Sequence, residues 1–143
     1  MTDTLPLSAK GKFAPPPVLD PFAQRVSAAI QTWPDIISAT HWHLNRANEV
    51  DGADFYVGEA ELGHIHLNGE VHLATSLELR KLLLAKKLAQ PFPYYASWVQ
   101  SKIGTAAEAE HALWLFKLNY DRIKGETEIR LSERIEAYAF GER

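Results

Sequence analysis

Between Gly58 and Leu73 the chain reads Gly-Glu-Ala-Glu-Leu-Gly-His-Ile-His-Leu-Asn-Gly-Glu-Val-His-Leu, so His64, His66 and His72 alternate with Ile65, Leu67, Val71 and Leu73. Successive side chains of a strand point to opposite faces, and parity therefore decides which groups share a surface. A two-residue Asn68-Gly69 turn would pair Leu67 with Glu70 and His66 with Val71, mixing polar and apolar groups on each face. A three-residue loop with Gly69 in the left-handed conformation removes the conflict. The expected hairpin then turns Ile65, Leu67, Val71 and Leu73 toward a core. His64, His66, Glu70 and His72 share the opposite face.

Three imidazoles and a carboxylate on one face are a donor set for a divalent metal. A His-x-His pair on one strand reaches a common ion, and the neighbouring strand supplies the third nitrogen; zinc, iron, nickel and manganese all suit such donors. Glu61 or Glu70 would be the carboxylate base, with the histidines as ligands or proton carriers. The same side chains could instead bind a small molecule without metal, or simply form the solvated face of an antiparallel sheet. The sequence leaves all three readings open.

Other groups carry weaker signals. His41-Trp42-His43 is a second His-x-His pair, read as two half-exposed histidines around a buried tryptophan. If its strand lay beside the hairpin, five histidines would line one groove. Arg80, Lys81, Lys86 and Lys87 read as a solvated helix face whose last members complement the helix dipole. Phe92, Tyr94 and Tyr95 between prolines suit a pocket mouth or a satellite aromatic cluster. His111 reads as a packed, hydrogen-bonded histidine, and no Walker or Rossmann glycine pattern is present.

The elements that must position these groups follow from periodicity and end signals. Residues 1–20, with Pro6, Pro15, Pro16 and Pro17, form an extended arm with apolar side chains to dock. Asp20-Pro21 opens a helix that ends near Pro34. Strands are expected over residues 37–45 and 55–62, with a turn between them at residues 48–53. Thr75-x-x-Glu78 and Gly104-Thr105-x-x-Glu108 read as capping boxes for helices to about Leu88 and Ile123. A strand over residues 96–103 lies between them, and a short helix follows within residues 126–140. This gives an α+β domain over residues 21–124: an antiparallel sheet of four or five strands with helices on one face. A helical extension covers residues 125–143. The arm and the extension together suggest a homodimer.

Bulk properties bound the class. A chain of 143 residues with 46% hydrophobic and 23% charged residues can bury one core without staples. A net charge of −3 supplies no field to recruit nucleic acid or an anionic membrane. The absence of cysteine removes disulfides, thiolate sites and cysteine nucleophiles. With no apolar run of membrane-spanning length and no export signal, the expectation is a cytoplasmic protein.

Glu61-Leu-Gly-His-x-His66, followed by Trp98-Val99 and the run from His111 to Arg122, resembles the luciferase-domain family of small microbial and fungal proteins. The likeness extends over about residues 51–124. It implies a compact α+β domain and a recurrent role for Glu61, His64 and His66. Family members more often carry an acidic residue where this chain has His72, so a three-histidine site would be particular to this protein. The element order also resembles small YjbR-like two-layer domains, at the level of topology alone. Gly58, His64-x-His66 and Glu70 match the first motif of the cupin barrels in spacing. Leu77 replaces the glycine that motif needs, no second motif follows, and helices stand where a jelly roll needs strands.

Overall fold

The computed structural model describes residues 13–46 and 48–142. It shows an α+β fold, four α-helices against one six-stranded antiparallel sheet. The strands are β1 (Ile36–Trp42), β2 (Val50–Val57), β3 (Ala60–His66), β4 (Glu70–Leu73), β5 (Gln90–Pro91) and β6 (Val99–Lys102), in the order β1-β2-β3-β4-β6-β5. The helices are α1 (Pro21–Ile30), α2 (Leu77–Ala85), α3 (Ala106–Ile123) and α4 (Glu128–Ala137).

The sheet has two more hairpin features than the sequence pattern suggests. The segment expected as one strand over residues 55–62 is the β2–β3 hairpin, closed by Gly58-Glu59 with Gly58 at φ 61°. The turn expected at residues 48–53 ends earlier, and β2 starts at Val50. Gln90 and Pro91 add a short edge strand on β6, which raises the count to six. The β3–β4 hairpin has the expected register: Ile65 pairs with Val71 and His64 with His72, leaving a three-residue loop with Gly69 at φ 93°. One part of that expectation fails, because Leu67 is the first residue of the loop and is 45% exposed.

One face of the sheet presents Ala53, Phe55, Leu62, Ile65, Val71, Leu73 and Val99 to the helices. α3 lies across β3, β4 and β6, and Phe116 meets Phe55 edge-on at 5.8 Å between ring centroids. Thr105 caps α3 by accepting from the Glu108 amide, as the capping box requires, while Glu108 Oε1 accepts from Gly104 N. The α2 box is displaced by one residue. Ser76, not Thr75, caps the helix through the Leu79 amide, and the Thr75 hydroxyl donates to the Ser97 carbonyl at 2.5 Å.

The described part of the arm and the last helix both find partners within the chain. Thr40 N donates to Ala14 O at 2.8 Å along the outer edge of β1, and Leu19 enters the core. α4 buries Leu131 and Ile135 against α2 and α3, helped by Arg134 on Asp121 and Lys86 on Glu136. Residues 1–12 of the expected arm lie outside the described residues. Among the described residues no helix is long and apolar enough to cross a membrane.

Asn119, fully buried on α3, ties the helix to the strands that carry the histidines. Its amide donates to Leu62 O and Ala74 O, and its oxygen accepts from Arg122 Nε at 2.8 Å. Replacing Asn119 by Leu keeps the branched shape, leaves the Leu62 carbonyl without this donor and takes the acceptor from the half-buried Arg122 Nε. Urea denaturation is expected to show a loss of about 1–3 kcal/mol, against less than half of that for Glu110→Ala on the exposed side of the same helix.

A histidine cluster with carboxylate backing

The face of the sheet turned away from the helices carries four imidazoles. Strand alternation sets His64 and His66 on β3 and His72 on β4 on that face. The His64–His72 pair is directly cross-strand. His41 joins from β1, two strands away from β3. The register puts Gly52 between His41 and His66, and without a side chain there the two rings meet at 4.9 Å. A Cβ on Gly52 would collide with the Ile65 carbonyl, so both the backbone and the ring contact require glycine. His43 stays outside the cluster, in the turn, where its Nδ1 accepts from Asn45 N.

Three of the rings meet at one nitrogen, His72 Nδ1. His64 Nε2 and His66 Nε2 each lie 3.0 Å from His72 Nδ1. A single imidazole nitrogen offers one proton or one in-plane lone pair, so His72 Nδ1 cannot form two full hydrogen bonds at once. Two nitrogens bound to one zinc at about 2.0–2.1 Å in tetrahedral geometry would stand about 3.3 Å apart. The ring positions agree with that geometry: centroids are 4.9 Å apart for His64–His66, 5.0 Å for His64–His72 and 4.5 Å for His66–His72. Rings sharing one such ion at angles between a right angle and the tetrahedral angle would be separated by about 4.5–5.2 Å. All three pairs are steeply inclined, at 67–79°.

His41, His64 and His66 are the three histidines whose ligand nitrogens all lie within 4.8 Å of one another among the described residues, yet His41 is oriented differently. Its ring stacks on His64 at 3.9 Å with the planes only 13° apart. An ion bound in the plane of one ring would lie well off the plane of the other, so the two cannot share a ligand position as they stand.

Every ring turns its other nitrogen to a carboxylate. Glu61 Oε2 is 3.2 Å from His64 Nδ1, Asp51 Oδ2 is 2.9 Å from His66 Nδ1, Glu70 Oε1 is 3.4 Å from His72 Nε2 and Asp54 Oδ1 is 2.7 Å from His41 Nδ1. Asp54 and Glu61 are themselves deeply buried, at 1% and 5% exposure. A carboxylate on the outer nitrogen fixes ring orientation and tautomer and raises the basicity of the inner nitrogen. Asp54, Glu61 and His64 also place one ligand atom each within 4.8 Å of one another.

An aromatic strap covers the cluster on the β6 side. Phe92 lies 4.4 Å from His72, Tyr95 4.9 Å from Trp98, and Trp98 5.8 Å from His64. The strap is pinned by Arg80 on Trp98 O, Thr75 on Ser97 O and Phe92 N on Trp98 O. Arg80, read from the sequence as part of a solvated face, is therefore a fastener. His111 is packed as expected, between Tyr138 Oη and Leu88 O at 2.7 Å each.

His64, His66, Glu70 and His72 lie on one face as their alternation predicts, and Glu61 stands beside His64; His41 comes from the second His-x-His pair without His43, and Asp51 and Asp54 carry no local sequence signal. Their signal lay in the β1–β2–β3 register. The β2 start was misplaced, which hid the pairing of Asp54 with His64 and of Gly52 with His66.

Burial lowers the pKa of His66 and His72. Desolvation, followed by the neighbouring His66 charge, pulls His72 from 6.5 down to about 4 against the opposing pull of Glu70. Desolvation and then His41 lower His66, with Asp51 opposing. A histidine depressed on folding contributes stability that is present above its unfolded value of 6.5 and is lost as pH falls toward the folded value. Thermal melts of metal-free protein are therefore expected to fall between pH 6.5 and pH 4, with a shallower fall in a His66→Gln/His72→Gln double variant. Equal slopes would contradict this account.

No curated protein and no solved structure matches the chain. Residues 59–119, which carry all three converging histidines and most of α3, match the family model described as Luciferase domain, the likeness suggested by Glu61-Leu-Gly-His-x-His66.

Proposed function

We propose that this chain binds one divalent transition metal through His64 Nε2, His66 Nε2 and His72 Nδ1, with a fourth position left for a small-molecule ligand. The carrying observation is the contact of His64 Nε2 and His66 Nε2 with the same His72 nitrogen, in three inclined rings that each have the outer nitrogen on a carboxylate. A bare hydrogen-bond network does not account for the double contact at His72 Nδ1, whereas a shared cation does. Neutral imidazoles suit zinc, iron, nickel and copper, and leave the bound ion with most of its charge as a Lewis acid.

Glu61 then orients His64 and does not itself meet the ligand. Glu70 backs His72 and its side chain is 56% exposed, so it is the better placed of the two carboxylates to exchange a proton with a ligand. Three protein ligands and one exchangeable position fit metal-assisted chemistry on a small molecule.

Elemental analysis of protein purified without chelator is expected to give one metal per chain. His66→Ala should remove it, and Glu61→Gln should weaken it by about 10–100-fold through loss of ring orientation. Zinc at 100 times its dissociation constant should add about 2.7 kcal/mol of stability to the metal-free protein. Absence of stoichiometric metal, with no melting shift on adding zinc, nickel or iron, would instead favour an interaction module without a ligand site.

A further inference from the structure

We propose that His41, oriented by Asp54, is the hydrogen-bond acceptor for a protic oxygen ligand (a water, alcohol or hydroxamic acid O–H) at the metal's fourth position. This rests on the metal reading above and assigns the ligand's chemistry.

The argument is geometric. Asp54 Oδ1 lies 2.7 Å from His41 Nδ1, at hydrogen-bond distance for an N–H donor, and 3.7 Å from His64 Nδ1. A buried carboxylate accepts, so His41 Nδ1 carries a proton toward Asp54 and Nε2 is the nitrogen left to accept. The rings of His41 and His64 are stacked nearly parallel, and both Nδ1 atoms approach the same Asp54 oxygen. The rings therefore face the same way, and His41 Nε2 projects beside the inner Nε2 of His64. It makes no hydrogen bond among the described residues. The stacking that bars His41 from binding the same ion as His64 places its lone pair one ring thickness from the ion, where a coordinated O–H would point.

The acceptor is held from three sides. Asp54 fixes the tautomer, His64 supports one ring face, and His66 meets the ring edge-on at 4.9 Å. Gly52 leaves the gap through which His41 reaches. A site so arranged favours ligands that donate a hydrogen bond over anions that only accept one.

Cobalt-loaded protein tests this by visible absorption, with acetohydroxamic acid as the donating probe and thiocyanate as the non-donating one. His41→Phe keeps the stack on His64, and His41→Ala is a second variant should the larger ring disturb packing. Both are expected to retain one cobalt per chain and wild-type thiocyanate affinity, and to bind acetohydroxamic acid about tenfold more weakly, the size of one good hydrogen bond. Unchanged hydroxamic acid binding, or equal weakening of both probes, overturns the acceptor role. Loss of cobalt from both variants overturns it in favour of His41 as a ligand. Wild-type protein that takes up no cobalt overturns the metal reading, and this inference with it.

Discussion

The loop between β3 and β4 sets everything else. A three-residue connection pairs His64 with His72 and Ile65 with Val71. A connection shorter by one residue would flip every side chain of β4 to the other face. His72 would then enter the apolar layer beneath α3, and Val71 would stand among the imidazoles. Gly69 enables this loop through its left-handed backbone, and a Cβ there would press on the Ile103 carbonyl at 2.5 Å. Parity, enforced by the buried aliphatic face, is what brings His64 and His66 into contact with His72.

Holding four imidazoles on a buried face carries an electrostatic cost, and the structure meets it with carboxylates. Each ring has an acid on its outer nitrogen, and those acids come from three different strands. A buried carboxylate is itself costly unless it is paired. Asp54 and Glu61 therefore depend on the histidines as much as the histidines depend on them. Asp54 approaches two of the rings, His41 at 2.7 Å and His64 at 3.7 Å, so it keeps a partner when His41 is replaced.

Legibility from sequence followed the range of the interactions. The hairpin parity and the α3 cap at Thr105 rest on near neighbours and are legible, whereas the partners that hold His111, Tyr138 and Leu88, are distant in sequence. The place of Leu67 is not legible, since alternation cannot say where a strand stops and a loop begins. Gly58-Glu59 hid a turn inside what read as one strand, and that single error erased the β2 register. With it went Asp54 opposite His64 and the gap at Gly52 that admits His41. The glycine of Glu61-Leu-Gly-His belongs to a local motif, but its reason is tertiary: a Cβ on Gly63 would press on the His72 carbonyl at 2.5 Å and on Phe116. Long-range contacts of this kind leave no local periodicity to find.

The central claim is that His64, His66 and His72 turn specified nitrogens to one ion. Long-range proton–nitrogen NMR of the imidazoles in zinc-loaded protein reads this directly. The account predicts His64 and His66 protonated on Nδ1 with Nε2 bound to metal, and His72 protonated on Nε2 with Nδ1 bound. Three rings sharing one tautomer, or nitrogen shifts unmoved by zinc, would contradict it.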